Sequence, residues 1–331
     1  MKTKNRVGRM LSILLVFVLI LGLCSCKSKN EDETTSQTDI SSTQDTTVQP
    51  TGENTLMLPE DESQSEDASQ QSEQPTANQE QTVTQTSATQ SQQQQEQTVV
   101  TTGTETITDG NKTVVFPAAL RSSDKSFPVI AWANGTGCPT QTYMSLLTSL
   151  ANGGYIIVAD SSVMTADGTS QIDSIDYILN QNNNSSSIFY NRIDTSKIGA
   201  CGHSQGGRSC VNAAQKDSRI RCIVSIAGAS SAEEANGLKT PCLFLTGTND
   251  LVVVSGQWCK PSYDAVAGRA AYASLKGGIH TTCMTNPEKV SGYALSWFDA
   301  YLKNDSSAKD VFVNGGRLSS DSAWQDFQNK N

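Results

Sequence analysis

Two short runs, Ile220–Ala227 and Cys242–Thr246, are mostly apolar and show no alternation, Arg221 and Ser225 being the polar residues of the first. A strand with one wet face must alternate; a run apolar on both sides must be covered on both faces. That is the condition of a strand inside a parallel sheet, whose neighbours are joined by long crossovers, usually helical. The rest of the chain fits this reading. Lys112–Phe116, Pro128–Ala133 (PVIAWA), Tyr155–Ala159 and Ile198–Cys201 read as further strands, and Arg269–Leu275 as the last. Between them, Thr140–Ala151 carries Tyr143, Leu146, Leu147 and Leu150 at helical spacing and stops at Gly153-Gly154. Ile172–Leu179, the small-residue stretch Gly206–Gln215 and Ser291–Leu302 also read as helices. Alternating strands and helices predict an α/β fold, a mostly parallel central sheet with helices on both faces. The tail around Trp324 and Phe327 is expected to pack back on it.

Residues 31–97 cannot join that sheet. They hold 14 of the 33 acidic residues, no Lys or Arg, and no Phe, Tyr or Trp; Ser, Thr and Gln fill 38 of the 67 positions. Such a block cannot bury enough surface to offset the entropy of ordering, and it reads as a disordered linker over 26–98. Its −14 and the +6 of residues 1–30, set against a total of −9, leave about −1 for residues 98–331. The acidity belongs to the linker, and no part of the chain has the positive excess of a nucleic-acid binder. One folded domain, 99–331, remains.

At the N-terminus, Lys2, Lys4, Arg6 and Arg9 precede an apolar run from Leu11 to Leu23. This is a signal-peptide pattern, short for a membrane span. Leu23-Cys24-Ser25-Cys26 resembles a bacterial lipobox, with an aliphatic residue at −3 and a small one at −1 of Cys26. The expectation is a signal peptide over 1–25, lipidation of Cys26, and a domain tethered at the extracellular face of the cell membrane.

Gly202-His203-Ser204-Gln205-Gly206-Gly207 lies between a predicted strand and a predicted helix. In that context G-x-S-x-G is a nucleophile elbow, a strained turn that presents a serine Oγ above the sheet. A serine nucleophile needs a base, and the chain has two histidines. His203 adjoins Ser204 on the elbow, so its side chain should point away from Oγ. The base is then His280, on the glycine-rich loop after Arg269–Leu275. The acid should follow a strand between the two; Asp250, in Gly247-Thr248-Asn249-Asp250, does. Glu233, Glu234 and Asp264 are rivals that follow no apolar strand. The order Ser204, Asp250, His280 is that of α/β-hydrolases. Two backbone amides must face the developing oxyanion. Gln205, after the nucleophile, supplies one. Thr136, in Asn134-Gly135-Thr136-Gly137, is assigned the other. That glycine loop lacks the Lys-Ser/Thr of a phosphate cradle.

These motifs, VIAWANGTG, IDTSKIGACGHSQGG, LTGTND and GIH, resemble those of the α/β-hydrolases that include cutinase-like polyester (PET) hydrolases and dienelactone-hydrolase-like esterases. The resemblance covers about Val114 to the C-terminus. It implies an α/β-hydrolase fold, carboxylic-ester hydrolysis and no metal or organic cofactor. Two departures stand out. Thr136 lies where the polyester hydrolases have an aromatic, and Ile226-Ala227-Gly228-Ala229-Ser230 lacks their Trp. Gln205 also replaces their usual Met. Trp132 and Trp258 are candidates to replace the missing aromatic walls.

Seven cysteines fall in the folded part, an odd number. Cys201, Cys222 and Cys242 lie in predicted strands. Cys259 and Cys283 lie near the acid and base loops, and a disulfide between them would tie the two together. No C-x₂-C pair suggests zinc.

The expected function is a secreted, lipid-anchored, monomeric serine esterase acting on an ester substrate that could be polymeric. An acetyl or feruloyl esterase of plant polysaccharide and a non-catalytic binding lipoprotein on a hydrolase fold are the alternatives. Whether the run Asn180–Ser187 (NQNNNSSS) forms a flap is left open by the sequence.

Overall fold

The computed structural model describes residues 103–330; the segment 1–25, Cys26, the whole of the linker 26–98 and residues 99–102 lie outside the described residues. In chain order the elements are β1 (Thr104–Asp109), β2 (Lys112–Pro117), β3 (Phe127–Ala133), α1 (Met144–Asn152), β4 (Ile156–Asp160), α2 (Thr169–Asn183), β5 (Ile193–His203) and α3 (Gln205–Lys216). Then come β6 (Ile220–Ile226), α4 (Ala232–Ala235), β7 (Cys242–Gly247), α5 (Cys259–Ala265), β8 (Ala270–Leu275), α6 (Thr282–Thr285), α7 (Glu288–Leu302) and β9 (Trp324–Lys330).

The strands form one sheet in the order β1-β2-β4-β3-β5-β6-β7-β8-β9. The six central strands, β4 to β8 in space, run parallel. β1 and β2 at one edge and β9 at the other pair antiparallel. Successive residues of the central strands enter opposite cores. Ile130 and Trp132 of β3, with Leu243 and Leu245 of β7, pack under α1 and α7. Val129, Ala131, Cys242 and Phe244 pack under α2, α3 and α5. Both faces are dry, so the absence of alternation in the sequence is explained. Each fully buried Leu or Phe here contributes roughly 1.5–3 kcal/mol.

Arg269–Leu275 is not the last strand. β9 pairs with β8 from Leu275↔Trp324 to Ala270↔Lys330. Without it, β8 would present an open row of peptide groups, a template for unwanted pairing. Trp324 is buried with its ring edge-on to Tyr293 at 5.4 Å. Lys330 Nζ donates to the carbonyls of Tyr263, Asp264 and Val266. The tail thus packs back as a strand.

Asn180–Ser187 is not a flap. It ends α2 and turns into β5 at the N-terminal end of the sheet, opposite the loops that carry Ser204, Asp250 and His280. α2 also starts earlier than its apolar residues suggest. Gln171 in its first turn is buried, its Nε2 donating to the carbonyls of Ala131 and Cys201.

The connection from β3 runs toward β4 and that from β5 toward β6, so the strand order reverses between β3 and β5. A crevice opens at the C-terminal ends of such strands. The loops after β3 and β5 meet there. A Cβ on Gly206 would lie 2.0 Å from the carbonyl oxygen of Ala133, so only glycine lets the two segments touch.

Candidate active site

Ser204 sits between β5 and α3 with φ 58° and ψ −119°. A non-glycine residue in this region is strained by about 1–3 kcal/mol and persists only when its surroundings hold it. Here they do. Ser204 N–H donates to Ile226 O, and its carbonyl accepts from Ala229 N–H and Arg208 N–H. The strain turns Oγ out of the backbone path toward His280.

His280 Nε2 lies 3.0 Å from Ser204 Oγ, and His280 Nδ1 lies 2.8 Å from Asp250 Oδ2. All three residues are buried. Asp250 Oδ1 accepts from the backbone N–H groups of Val252 and Val253 at 2.9 and 2.8 Å. The carboxylate is therefore fixed from behind while its other oxygen meets the imidazole. The Asp250 partner makes Nδ1 the protonated nitrogen and leaves Nε2 free to accept from Ser204. The rivals lie elsewhere: Glu234 pairs with Arg208, Asp264 with Lys260, and Glu233 is exposed.

The acid and base loops are laced by hydrogen bonds. Asn249 N–H donates to Gly278 O, Thr248 N–H to Leu275 O, and Gly277 N–H to Thr248 Oγ1. The expected Cys259–Cys283 disulfide does not form; both are free thiols. Cys259 belongs to the core under α2, α3 and α5, and Cys283 to the core under α1 and α7, so the sheet lies between them. Burial, chiefly, pushes the Cys259 thiol up to about 12, and its Sγ–H donates to Gly228 O.

The loop after β3 makes a turn in which Cys138 N–H donates to Gly135 O and Gly137 takes φ 70°. That is the glycine demanded at the third position of a type II turn. Gly137 N–H donates to Val163 O. Among the described hydrogen bonds neither Thr136 N–H nor Gln205 N–H has a partner. Gln205 opens α3, where a helix leaves its first amides unpaired and its dipole positive. These two amides are thus available to an oxyanion. The Gln205 side chain accepts from Thr165 N–H at 2.6 Å and pins the loop that carries Val163 and Met164.

Trp132 is fully buried and donates to Asn134 Oδ1, so it walls no cleft. Trp258 packs, partly buried, against the core under α2, α3 and α5. The large hydrophobic residues exposed on the site loops carry no ring: Val163, Met164, Leu251, Val254 and Ile279, beside exposed polar Thr248 and Asn249. Among the described residues no cluster of three His, Cys, Asp or Glu is placed to hold a metal. No described helix is long and apolar enough to cross a membrane.

Sequence reasoning missed two residues behind the site. His203 does turn away from Oγ, but into a purpose: its Nε2 lies 2.8 Å from His280 O and its Nδ1 3.0 Å from Tyr143 Oη. A Tyr on an apolar helix face was a signal, since a buried phenol needs a partner.

A family model described as PETase, PET hydrolase-like, matches residues 66–330. The chain belongs to the PET hydrolase-like family. This PET hydrolase-like chain is 22% identical over 203 residues to a bis(hydroxyethyl) terephthalate hydrolase of Streptomyces coelicolor, covering 59% of this chain and 63% of that one. It is 23% identical over 173 residues to Cutinase 1 of Thermobifida cellulosilytica, covering 51% and 66%. With Cutinase est2 of Thermobifida alba it shares 23% over 220 residues, covering 63% and 69%. The match thus spans just under two thirds of the length of the first two relatives.

Proposed function

We propose that this chain is a serine carboxylic-ester hydrolase that works through an acyl-enzyme on apolar ester substrates of polyester or cutin type. The observation that carries the reading is the unbroken path Ser204 Oγ–His280–Asp250 at 3.0 and 2.8 Å. His280 Nε2 takes the proton as Ser204 Oγ attacks the ester carbonyl. The amides of Thr136 and Gln205 receive the oxyanion. His280 then gives the proton to the leaving alcohol, and water repeats the cycle to release the acid. The relatives' names, a terephthalate-ester hydrolase and cutinases, favour polyester and cutin over polysaccharide acetates. So do exposed Met164, Leu251 and Ile279, which offer an apolar lip with no ring to grip a sugar.

The lipobox-like segment and the linker support a chain tethered through Cys26 at the extracellular face of the membrane, where residues 26–98 would give reach to an insoluble polymer. Labelling with a fluorophosphonate, followed by peptide mass spectrometry, should place the adduct on Ser204. Ser204→Ala should abolish both labelling and p-nitrophenyl ester turnover. Turnover retained in that variant would sink the esterase reading, and a folded wild type that neither labels nor turns over would favour a binding lipoprotein. Parallel assays on a polyester film, acetylated xylan and a feruloyl ester rank the substrates.

A further inference from the structure

The oxyanion loop leaves the sheet from β3 and the base loop from β8, and β5, β6 and β7 lie between them. No ladder of the sheet links the two. Yet acyl transfer needs both held to about 0.5 Å. We propose that Tyr143 and His203 form a strut across this gap, a pair of positioning residues that holds the oxyanion amide and the base in register through the hydrogen-bond path Gly135–Tyr143–His203–His280. The inference deepens the ester-hydrolase reading and rests on it.

The path is continuous and its polarity is fixed. The carbonyl of His280 can only accept, so His203 Nε2 carries a proton and donates to it at 2.8 Å. Burial, and then the neighbouring His280, hold His203 well below the usual histidine range, while the bond to the His280 carbonyl pulls weakly the other way. The ring is therefore neutral and its Nδ1 offers a lone pair. Tyr143 O–H donates to that lone pair at 3.0 Å. The phenol oxygen in turn accepts from Gly135 N–H at 3.0 Å. Burial, with Cys138 and Cys283 nearby, keeps the Tyr143 phenol protonated. Those two thiols and His280 are the titratable groups that face the pair.

Packing leaves the strut no slack. Tyr143 and His203 are 0% and 1% exposed. The His203 and His280 rings sit 4.6 Å apart, and Tyr143 lies 4.9 Å from Trp132. A Cβ on Gly135 would come within 2.8 Å of Tyr143 Oη and 3.1 Å of His203 Nδ1, so glycine is what lets this end of the strut close. Thr136, the proposed oxyanion donor, is the next residue. The strut touches no reacting atom; it acts through the backbone of Gly135 and of His280.

The test is a double-mutant cycle in the full chain with Tyr143→Phe, which removes one oxygen, and His203→Leu, which removes both bonds. On a soluble p-nitrophenyl ester each single variant should lose about tenfold in kcat with KM within about twofold. The double variant should fall no further than the worse single, since both break one path. Nitrogen NMR of the two imidazoles supplies a readout free of turnover. Wild type should show a slowly exchanging Nε2–H on His203, and Tyr143→Phe should shift its Nδ1 resonance. Wild-type kcat in both variants well below their melting temperatures, additive losses, or a wild-type His203 protonated at Nδ1 would each overturn the strut. Should His203→Leu not fold, Tyr143→Phe with the NMR arm decides. A wild type that turns over no ester fails the functional reading, and the NMR result still accepts or rejects the strut.

Discussion

Asp250 holds three donors with two oxygens, and this makes the outcome of one substitution calculable. In Asp250→Asn the amide oxygen can still accept from Val252 and Val253 N–H. The NH₂ must then face His280 Nδ1, which becomes an acceptor, and the proton moves to Nε2. That tautomer cannot take the proton of Ser204. We expect kcat/KM to fall about 10³–10⁴-fold while the unfolding midpoint stays near wild type; a loss under tenfold in steady-state assays would contradict it. His203 makes a second residue-scale prediction. Its folded form stays neutral, because burial and His280 depress its affinity for protons, while in the unfolded chain a histidine protonates near 6.5. The unfolded state takes up the proton first, so stability is complete above that pH and falls as pH drops below it, by up to about 1.4 kcal/mol per pH unit. Urea midpoints between pH 7 and 5 should show this slope, and His203→Leu should flatten it. The two residues also differ in how far the sequence discloses them. Ser204, Asp250 and His280 each follow an apolar strand in a loop of recognisable texture, and the structure brings these three positions within hydrogen-bond reach. The partnership of Tyr143 with His203 joins residues 60 positions apart through one hydrogen bond, and periodicity shows only that Tyr143 faces the core.

Elements were legible where burial was two-sided. Apart from exposed Arg221, β6, β7 and β8 are buried on both faces and appear as mostly apolar runs without alternation. β1 and β9 are edge strands that bury one face partly, and their sequences, TETITD and WQDFQNK, read as polar chain. The helices that were read short, such as α2, hide their ends in polar residues like Gln171 that find backbone partners inside. β9 carries the element-scale prediction. Trp324→Ala empties a site closed by Tyr293 and β8 and should cost about 3–5 kcal/mol, read from urea unfolding. Deletion of residues 324–331 should cost more and promote aggregation through the bared β8 edge, seen by size-exclusion chromatography. A tail deletion with wild-type stability would show that β9 is dispensable.

At the scale of the molecule, the two dry cores shelter every described cysteine. All seven are buried thiols outside any disulfide, and burial raises the thiols of Cys201, Cys210, Cys222, Cys242, Cys259 and Cys283. A protonated, buried thiol is inert. A thiol reagent should leave these seven untouched in the native protein and modify them on unfolding, and reductant should shift the melting temperature by less than about one degree. A larger drop would reveal a bridge. The strand order has a different consequence. Thr136, Ser204, Asp250 and His280 arrive on four separate loops, after β3, β5, β7 and β8, at one end of the sheet. Lengthening a loop costs only about 0.6 kcal/mol per doubling, so the scaffold tolerates remodelling of its rim. If the ester-hydrolase reading holds, selection for a new acyl preference has a small address: positions 163, 164, 251, 254 and 279, whose side chains are exposed and can be exchanged without disturbing the core below them. In evolutionary terms, the architecture separates what must be inherited unchanged from what can be tried again.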